Sequence, residues 1–140
     1  MQRLLYISTA RTTVTQDMID DILRVSRRNN AAAGITGLLV VGGKRFLQVL
    51  EGTDLAIAQT FDRIQRDPRH FAMVNLARQS ITERSFGDWA MGYHTGGTTT
   101  SDDPSTMVAA LIAPIEDATL RGYFSGFADL HMATKPAKAA

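Results

Sequence analysis

The side chains in this sequence that could do chemistry are few and oddly placed. In the run 46–51, Phe-Leu-Gln-Val-Leu-Glu, a long amide stands among apolar neighbours. Strand alternation puts Phe46, Gln48 and Leu50 on one side and Leu47, Val49 and Glu51 on the other. If the strand is central, Gln48 is buried and must find partners for its donors and its acceptor, since a buried amide without them costs about 1–3 kcal/mol. Tyr6 sits in the apolar run 4–7 with the parity of Leu4 and Ser8, so a phenol and an amide could meet in one layer. Asn29-Asn30 could offer donor and acceptor groups to a planar heterocycle lying between helices. Asp67-Pro68-Arg69-His70 gives a turn with a cation and an imidazole, suited to polyol or phosphate groups at the mouth of a cleft. Trp89, the only tryptophan, shares a strand parity with Met91. Taken singly, each has a structural explanation: an amide bonded to backbone, a core tyrosine with its hydroxyl on a carbonyl, an asparagine helix cap, a solvated turn, and a Trp/Met core pair.

Other chemistries are excluded more firmly. The 140 residues contain no cysteine, which removes thiol nucleophiles, redox pairs and thiolate metal sites. His94 and His131 have no ligand spacing, and no metal site is expected. There is no glycine-rich phosphate loop and no Ser, His and acid arrangement, so no catalytic residue is assigned. Fifteen Lys and Arg against 14 Asp and Glu leave a formal charge of +1, which disfavours direct nucleic-acid binding. The N-terminus has no signal-peptide apolar region, and no segment approaches the ~20 apolar residues of a membrane span. The expectation is a cytoplasmic protein with no membrane attachment.

The elements that must position these residues follow from periodicity. Residues 4–7 read as a strand. Thr15 can cap a helix in which Met18, Ile19, Ile22, Leu23, Val25 and Ser26 recur at three- and four-residue spacing on one face, ending near Asn29-Asn30. Strands at 38–41 and 45–50 flank Gly42-Gly43-Lys44, a hairpin turn. A second helix starts after Gly52, capped by Thr53 or Asp54, with Leu55, Ile57, Ala58, Phe61 and Ile64 on its stripe, and Pro68 fixes its end. Strands follow near 72–77 and 88–93. The order is βαββαββ, an α+β sandwich on the split βαβ, ferredoxin-like plan, with both helices on one sheet face. That plan makes the first and third strands neighbours, expected to be parallel, and so brings Tyr6 and Gln48 toward the same helix layer. Beyond the Gly/Thr/Ser-rich stretch 96–101 lies a helical tail divided by Pro114. Its Val108, Leu111, Ile112, Ile115, Leu120, Tyr123, Phe124 and Phe127 need a surface to cover: the free sheet face, a second subunit, or both. The expected division is 1–95 for the sandwich, 96–104 for a linker, 105–132 for the helical extension and 133–140 for a disordered end.

The segments Leu5-Tyr6-Ile7-Ser8, Asn29-Asn30 through Leu39, Phe46 through Gly52, Ile64 through His70 and Phe86 through Gly92 together closely resemble a BLUF domain, the blue-light sensor that uses flavin. The match runs in order over about residues 2–95, and the whole chain is similar to the short stand-alone BLUF photoreceptors. The resemblance implies a flavin, FAD in the first place with FMN or riboflavin also suited to the same pocket, held between the two helices. It implies that Tyr6 donates an electron to the excited flavin while a proton passes through Gln48, and that Gln48 then rearranges its hydrogen bonds, giving a red-shifted state. A half-turn of a glutamine exchanges donor for acceptor without breaking a covalent bond. Asn30 would hold the ring's C4 carbonyl and N3 edge, with Asn29 beside it. Ile22 and Ile64 would sandwich the ring, and Asp67, Arg69 and His70 would lie near the ribityl and phosphate end. Trp89 and Met91 would carry the change outward to the tail.

Such a protein is a photoreceptor and not an enzyme. With about 95 residues in the sensor, the expected output is to a downstream protein in trans, with a homodimer through the sheet face or the tail helices as a further expected assembly. Two other readings on the same fold remain. One is an acylphosphatase-like hydrolase using Arg11, whose loop lacks a phosphate cradle; the other is a ligand-binding module without photochemistry.

Overall fold

The computed structural model of the chain describes residues 1–87, 92–95, 104–113 and 115–132, with side chains at all of these except 92–95 and 104–107. The elements are β1 (Gln2–Ala10), α1 (Gln16–Ala33), β2 (Thr36–Gly42), β3 (Arg45–Gly52), α2 (Asp54–Gln65), β4 (His70–Ser80), β5 (Gly92–Thr95), α3 (Pro104–Ile112) and α4 (Ala118–His131).

Both long helices begin at a threonine cap. The Thr15 hydroxyl accepts from the Met18 amide, and Thr53, rather than Asp54, accepts from the Ala56 amide, each at 3.2 Å. Helix α1 runs a turn further than the sequence suggests, carrying Asn30 inside it, and stops at Gly34, whose φ of 70° is the left-handed conformation that glycine adopts without penalty. Gly43, at φ 58°, turns the β2–β3 hairpin.

The strands form one sheet in the order β4-β1-β3-β2-β5. Strand β1 is antiparallel to β3, which corrects the expected parallel pairing. The reason is topological: a right-handed crossover makes β2 run with β1, the tight hairpin reverses β3, and β3 inserts between them. Neighbourhood and side-chain parity survive the reversal, so Tyr6 stands directly opposite Gln48 in the register. Strand β5 joins the far edge parallel to β2. The expected strand at 88–93 overlaps it at 92–93, and its earlier part, with Trp89 and Met91, lies outside the described residues.

Helices α1 and α2 cover one sheet face, as expected, burying Leu4, Tyr6, Ile19, Leu23, Leu39, Leu50 and Ile57 between the layers. The tail covers the other face. Val108, Ile112, Ile115, Leu120, Phe124 and Phe127 pack on Leu5, Leu38, Val40, Leu47 and Val49, each fully buried side chain contributing about 1.5–3 kcal/mol. Of the places open to the tail, the sheet face is therefore occupied by it. Two residues of the predicted α2 stripe are exceptions: Leu55 is 68% exposed and Ala58 is exposed. The sheet-facing side of α2 is Ile57, Thr60, Phe61 and Ile64, a face rotated from the one apolarity alone suggests. No helix among the described residues is long and apolar enough to cross a membrane.

Candidate functional site

A cleft lies between α1 and α2, floored by the centre of the sheet and open to solvent at its mouth. Each element contributes the face its periodicity dictates. Helix α1 supplies Ile22, Val25, Ser26, Asn29 and Asn30, and α2 with its following turn supplies Thr60, Arg63, Ile64 and Asp67; both sets follow the i, i+3, i+4, i+7 spacing of one helical face. The floor is Tyr6 from β1, Leu39 from β2, and Phe46 and Gln48 from β3, with Arg69 and His70 at the start of β4. All nine residues expected to bind a ligand, Tyr6, Ile22, Asn29, Asn30, Gln48, Ile64, Asp67, Arg69 and His70, line this one cavity.

At its deepest point the Tyr6 hydroxyl donates to Gln48 Oε1, with both side chains buried at 3% and 4% exposure. Burial pushes the Tyr6 pKa up, and the negative charge of Asp67 adds to the shift, so the site favours the protonated phenol. The Phe61 ring meets the Tyr6 ring edge-on at 5.6 Å. Asn30, 3% exposed, forms part of the α1 wall.

At the mouth, Arg69 holds α1 and the α2–β4 turn together. Its Nε and Nη2 reach the Asp67 carboxylate at 2.6–3.1 Å and its Nη1 reaches Asp21 on α1 at 2.9 Å. Hydrogen bonding to Arg69 holds the Asp67 pKa below the usual carboxylate range, and hydrogen bonds from Arg24 and then Arg69 do the same for Asp21. His70 bridges two elements, its Nδ1 2.9 Å from Ser8 Oγ and its Nε2 2.7 Å from the Ile64 carbonyl. The Nε2 contact requires a proton on that nitrogen, which leaves Nδ1 of the neutral ring to accept from Ser8.

The sequence reading missed Val25, Ser26, Leu39, Phe46, Thr60 and Arg63 as wall residues. A signal for them existed. They share a helical face with Ile22 or Ile64, neighbour Gln48 two residues along β3, or, for Leu39, oppose it across the β2–β3 register. Trp89 and Met91 lie outside the described residues. Arg11, the residue a hydrolase reading would use, stacks over Phe71 at 5.0 Å and is not part of the cavity wall.

Comparison with known proteins follows the same lines. The family model for BLUF, sensors of blue-light using FAD, matches residues 1–92. Photoactivated adenylate cyclase subunit beta of Euglena longa is 34% identical over 93 residues, 65% of this chain and 11% of that protein. The chain thus spans about a tenth of the length of the curated relatives it matches first. Among solved structures, the dark state of BlrB, a BLUF protein, superposes with a TM-score of 0.69 at 31% identity, covering 89% of this chain and 88% of that one. BlrP1 of Klebsiella pneumoniae, solved with FMN and cyclic diGMP, gives a TM-score of 0.77 at 30% identity, covering 91% and 34%.

The cavity suits the flavin that the family description names. Ile22 and Ile64 face each other across it as apolar walls for a flat ring, while Asn29, Asn30 and Gln48 supply polar groups along its inner edge. Thr60 Oγ1 is the one buried side-chain polar atom among the described residues without a hydrogen-bond partner, and its residue is in the cavity wall. A polar group left so costs about 1–3 kcal/mol, which a ligand oxygen or nitrogen would relieve. Every residue of these walls falls within the matched span of 1–92, and the chain belongs to the BLUF family.

Proposed function

We propose that this chain is a blue-light photoreceptor whose switch is the Tyr6–Gln48 pair. The observation that carries the reading is the buried hydrogen bond from the Tyr6 hydroxyl to Gln48 Oε1 on the floor of the cavity. A flavin held there would supply the light-absorbing ring and, once excited, an electron acceptor beside Tyr6. Tyr6 is the donor: a phenol that loses an electron becomes a strong acid, and its hydrogen bond gives the proton a path to the Gln48 amide. When electron and proton return to Tyr6, Gln48 need not return to its first orientation. With its amide turned, it presents N–H where it presented oxygen, and the hydrogen bonds on the floor are redistributed without net chemistry. Light reception of this kind needs no turnover, so we assign no enzymatic activity to the chain.

Asn29 and Asn30 would hold the polar edge of the ring, Ile22 and Ile64 its faces, and Asp67, Arg69 and His70 the mouth through which the side chain of the flavin leaves. FAD is the cofactor we favour from the family description, and FMN or riboflavin would suit the same walls. We read residues 1–95 as the sensing unit, 96–104 as its link and 105–132 as the output element. Support for the last comes from β3: Gln48 faces the cavity while Leu47 and Val49 face α4 and its neighbours. A change in the bonds of Gln48 that moves β3 is felt directly by the tail, which biases a two-state element toward a downstream protein or a second copy of the chain. The cysteine-free composition, which rules out disulfides, suits a cytoplasmic protein.

The test is an absorption spectrum of the flavin-loaded protein before, during and after blue light. The expected result is a reversible shift to the red that persists into the dark and decays. Gln48→Leu and Tyr6→Phe should each retain flavin and lose the shift. A protein that takes up no flavin, or a normal photocycle in either variant, overturns the assignment.

A further inference from the structure

Four cationic or imidazole side chains could meet the phosphate of a flavin nucleotide on this face of the molecule, and their partners divide them. Arg69, the cation that the sequence singles out, is spent: Nε, Nη1 and Nη2 all donate to Asp67 or Asp21. Arg24 is taken by Asp21 at 2.6 Å, so the cluster of Arg24, Asp21, Arg69 and Asp67 is neutral in sum. His70 uses both ring nitrogens on Ser8 and Ile64. Arg63 differs. It lines the same cavity, and its guanidinium has no ion pair or hydrogen bond among the described residues.

Its placement on α2 is also informative. Arg63 lies one turn after Thr60, whose buried hydroxyl is without a partner, and one turn before Asp67, so that one face of the helix presents an unused hydroxyl and then an unused cation from the depth of the cavity toward its mouth. A ligand that is aromatic at its inner end, hydroxylated along its chain and anionic at its outer end matches that order. A guanidinium with free donors meets a phosphate through two parallel charge-assisted hydrogen bonds, whereas one already bonded to two carboxylates must first give them up.

We propose that Arg63, and not Arg69, is the phosphate-recognising residue of this cavity, and that it makes the site selective for phosphorylated flavins over riboflavin. Arg69 is instead a positioning residue that ties α1 to the α2–β4 turn through Asp21 and Asp67. The inference rests on the flavin reading above.

The test uses the full chain stripped of flavin, titrated with riboflavin, FMN and FAD, and followed by quenching of flavin fluorescence. The parent should bind FMN at least about tenfold more tightly than riboflavin, the free-energy equivalent of one charge-assisted hydrogen bond. Arg63→Gln should bring FMN and FAD down to the riboflavin affinity while riboflavin itself is unaffected, and Arg63→Lys should restore part of the difference. Rising sodium chloride should narrow the gap in the parent and have no such effect in Arg63→Gln. Arg69→Gln should weaken all three flavins together, keeping their ratios. An unchanged FMN-to-riboflavin ratio in Arg63→Gln, or a ratio that collapses in Arg69→Gln instead, overturns the proposal while the flavin reading stands. Failure of all three flavins to bind the parent overturns both.

Discussion

Glu51 gives the strongest single-residue prediction. Its carboxylate is fully buried at the end of β3, where it accepts from Arg3 Nε at 2.9 Å, from the Ser85 amide at 3.0 Å and from the Phe86 amide at 2.9 Å. Arg3 is itself only 7% exposed and spends Nη2 on Ser85 Oγ at 2.7 Å. The pair therefore does two things at once: it neutralises a buried guanidinium and it ends the free run of the chain after β4 by holding two backbone N–H groups. Glu51→Ala leaves Arg3 buried with one hydroxyl partner and leaves both amides without acceptors. Breaking a buried ion pair by removing one member costs about 3–5 kcal/mol, a large share of the about 5–15 kcal/mol that holds a domain of this size. At about 3 °C per kcal/mol for this chain length, the melting temperature should fall by about 9–15 °C. Urea denaturation of the parent, Glu51→Ala, Arg3→Ala and the double variant would measure it, with the double variant less destabilised than the sum of the singles by about 1–3 kcal/mol. Hydrogen exchange should show the Ser85 and Phe86 amides, in the segment between β4 and β5, losing protection before those of the sheet. A Glu51→Ala protein within about 1 kcal/mol of the parent, or strictly additive singles, would mean that water or a neighbour replaces the carboxylate and that the ion pair does not hold this segment.

Two further outcomes follow from the geometry. The pKa of Tyr6 is raised by burial, so its unfolded value, near 10, lies below its folded one; the stability it contributes is complete below pH 10 and is lost as pH rises above that, and a spectrophotometric titration of the parent against Tyr6→Phe should show no Tyr6 ionisation near pH 10 while the protein is native. A Tyr6 contribution that ionises near pH 10 in the native state would contradict its burial. Gly42 sits where an added Cβ would lie 2.6 Å from the His131 carbonyl oxygen and 2.8 Å from its carbon; Gly42→Ala should therefore lift the end of α4 from the β2–β3 hairpin, seen as faster proteolysis near residue 131 with the flavin spectrum retained, and an unchanged cleavage rate would refute that close contact.

What the sequence made legible was face and neighbourhood rather than direction and partner. Tyr6 and Gln48 could be put in one layer because parity alone decides which side of a sheet a residue faces, and this held even though β1 and β3 run opposite to the expected way. Arg69 could be recognised as a cation at the cleft mouth, but not as a spent one, since its second carboxylate, Asp21, is 48 residues away along the chain. Thr60 and Arg63 escaped notice because a polar residue on an amphipathic helix reads as solvated, and only the fold turns their face inward. Leu55 erred the other way, being apolar in sequence and 68% exposed in place.

The same distinction explains why β3 is the strand on which signal and stability would meet. It is a central strand with a helix layer on each side, so none of its residues from Phe46 to Gly52 faces solvent. Two of them break the apolar rule, and they break it on opposite faces. Gln48 is neutral and can turn, which suits a bond that must change; Glu51 is charged and held by three donors, which suits a bond that must not. Two residues, Val49 and Leu50, separate a movable hydrogen bond from a fixed one. Glu51 is fastened to β1 through Arg3 and to the chain after β4 through the Ser85 and Phe86 amides. On the proposed switch, a rearrangement at Gln48 would therefore act on a strand anchored at its far end, which favours tilting or bowing over sliding. Leu47 and Val49, which flank Gln48 on the tail side of the strand, are the side chains that would press on α4 in response.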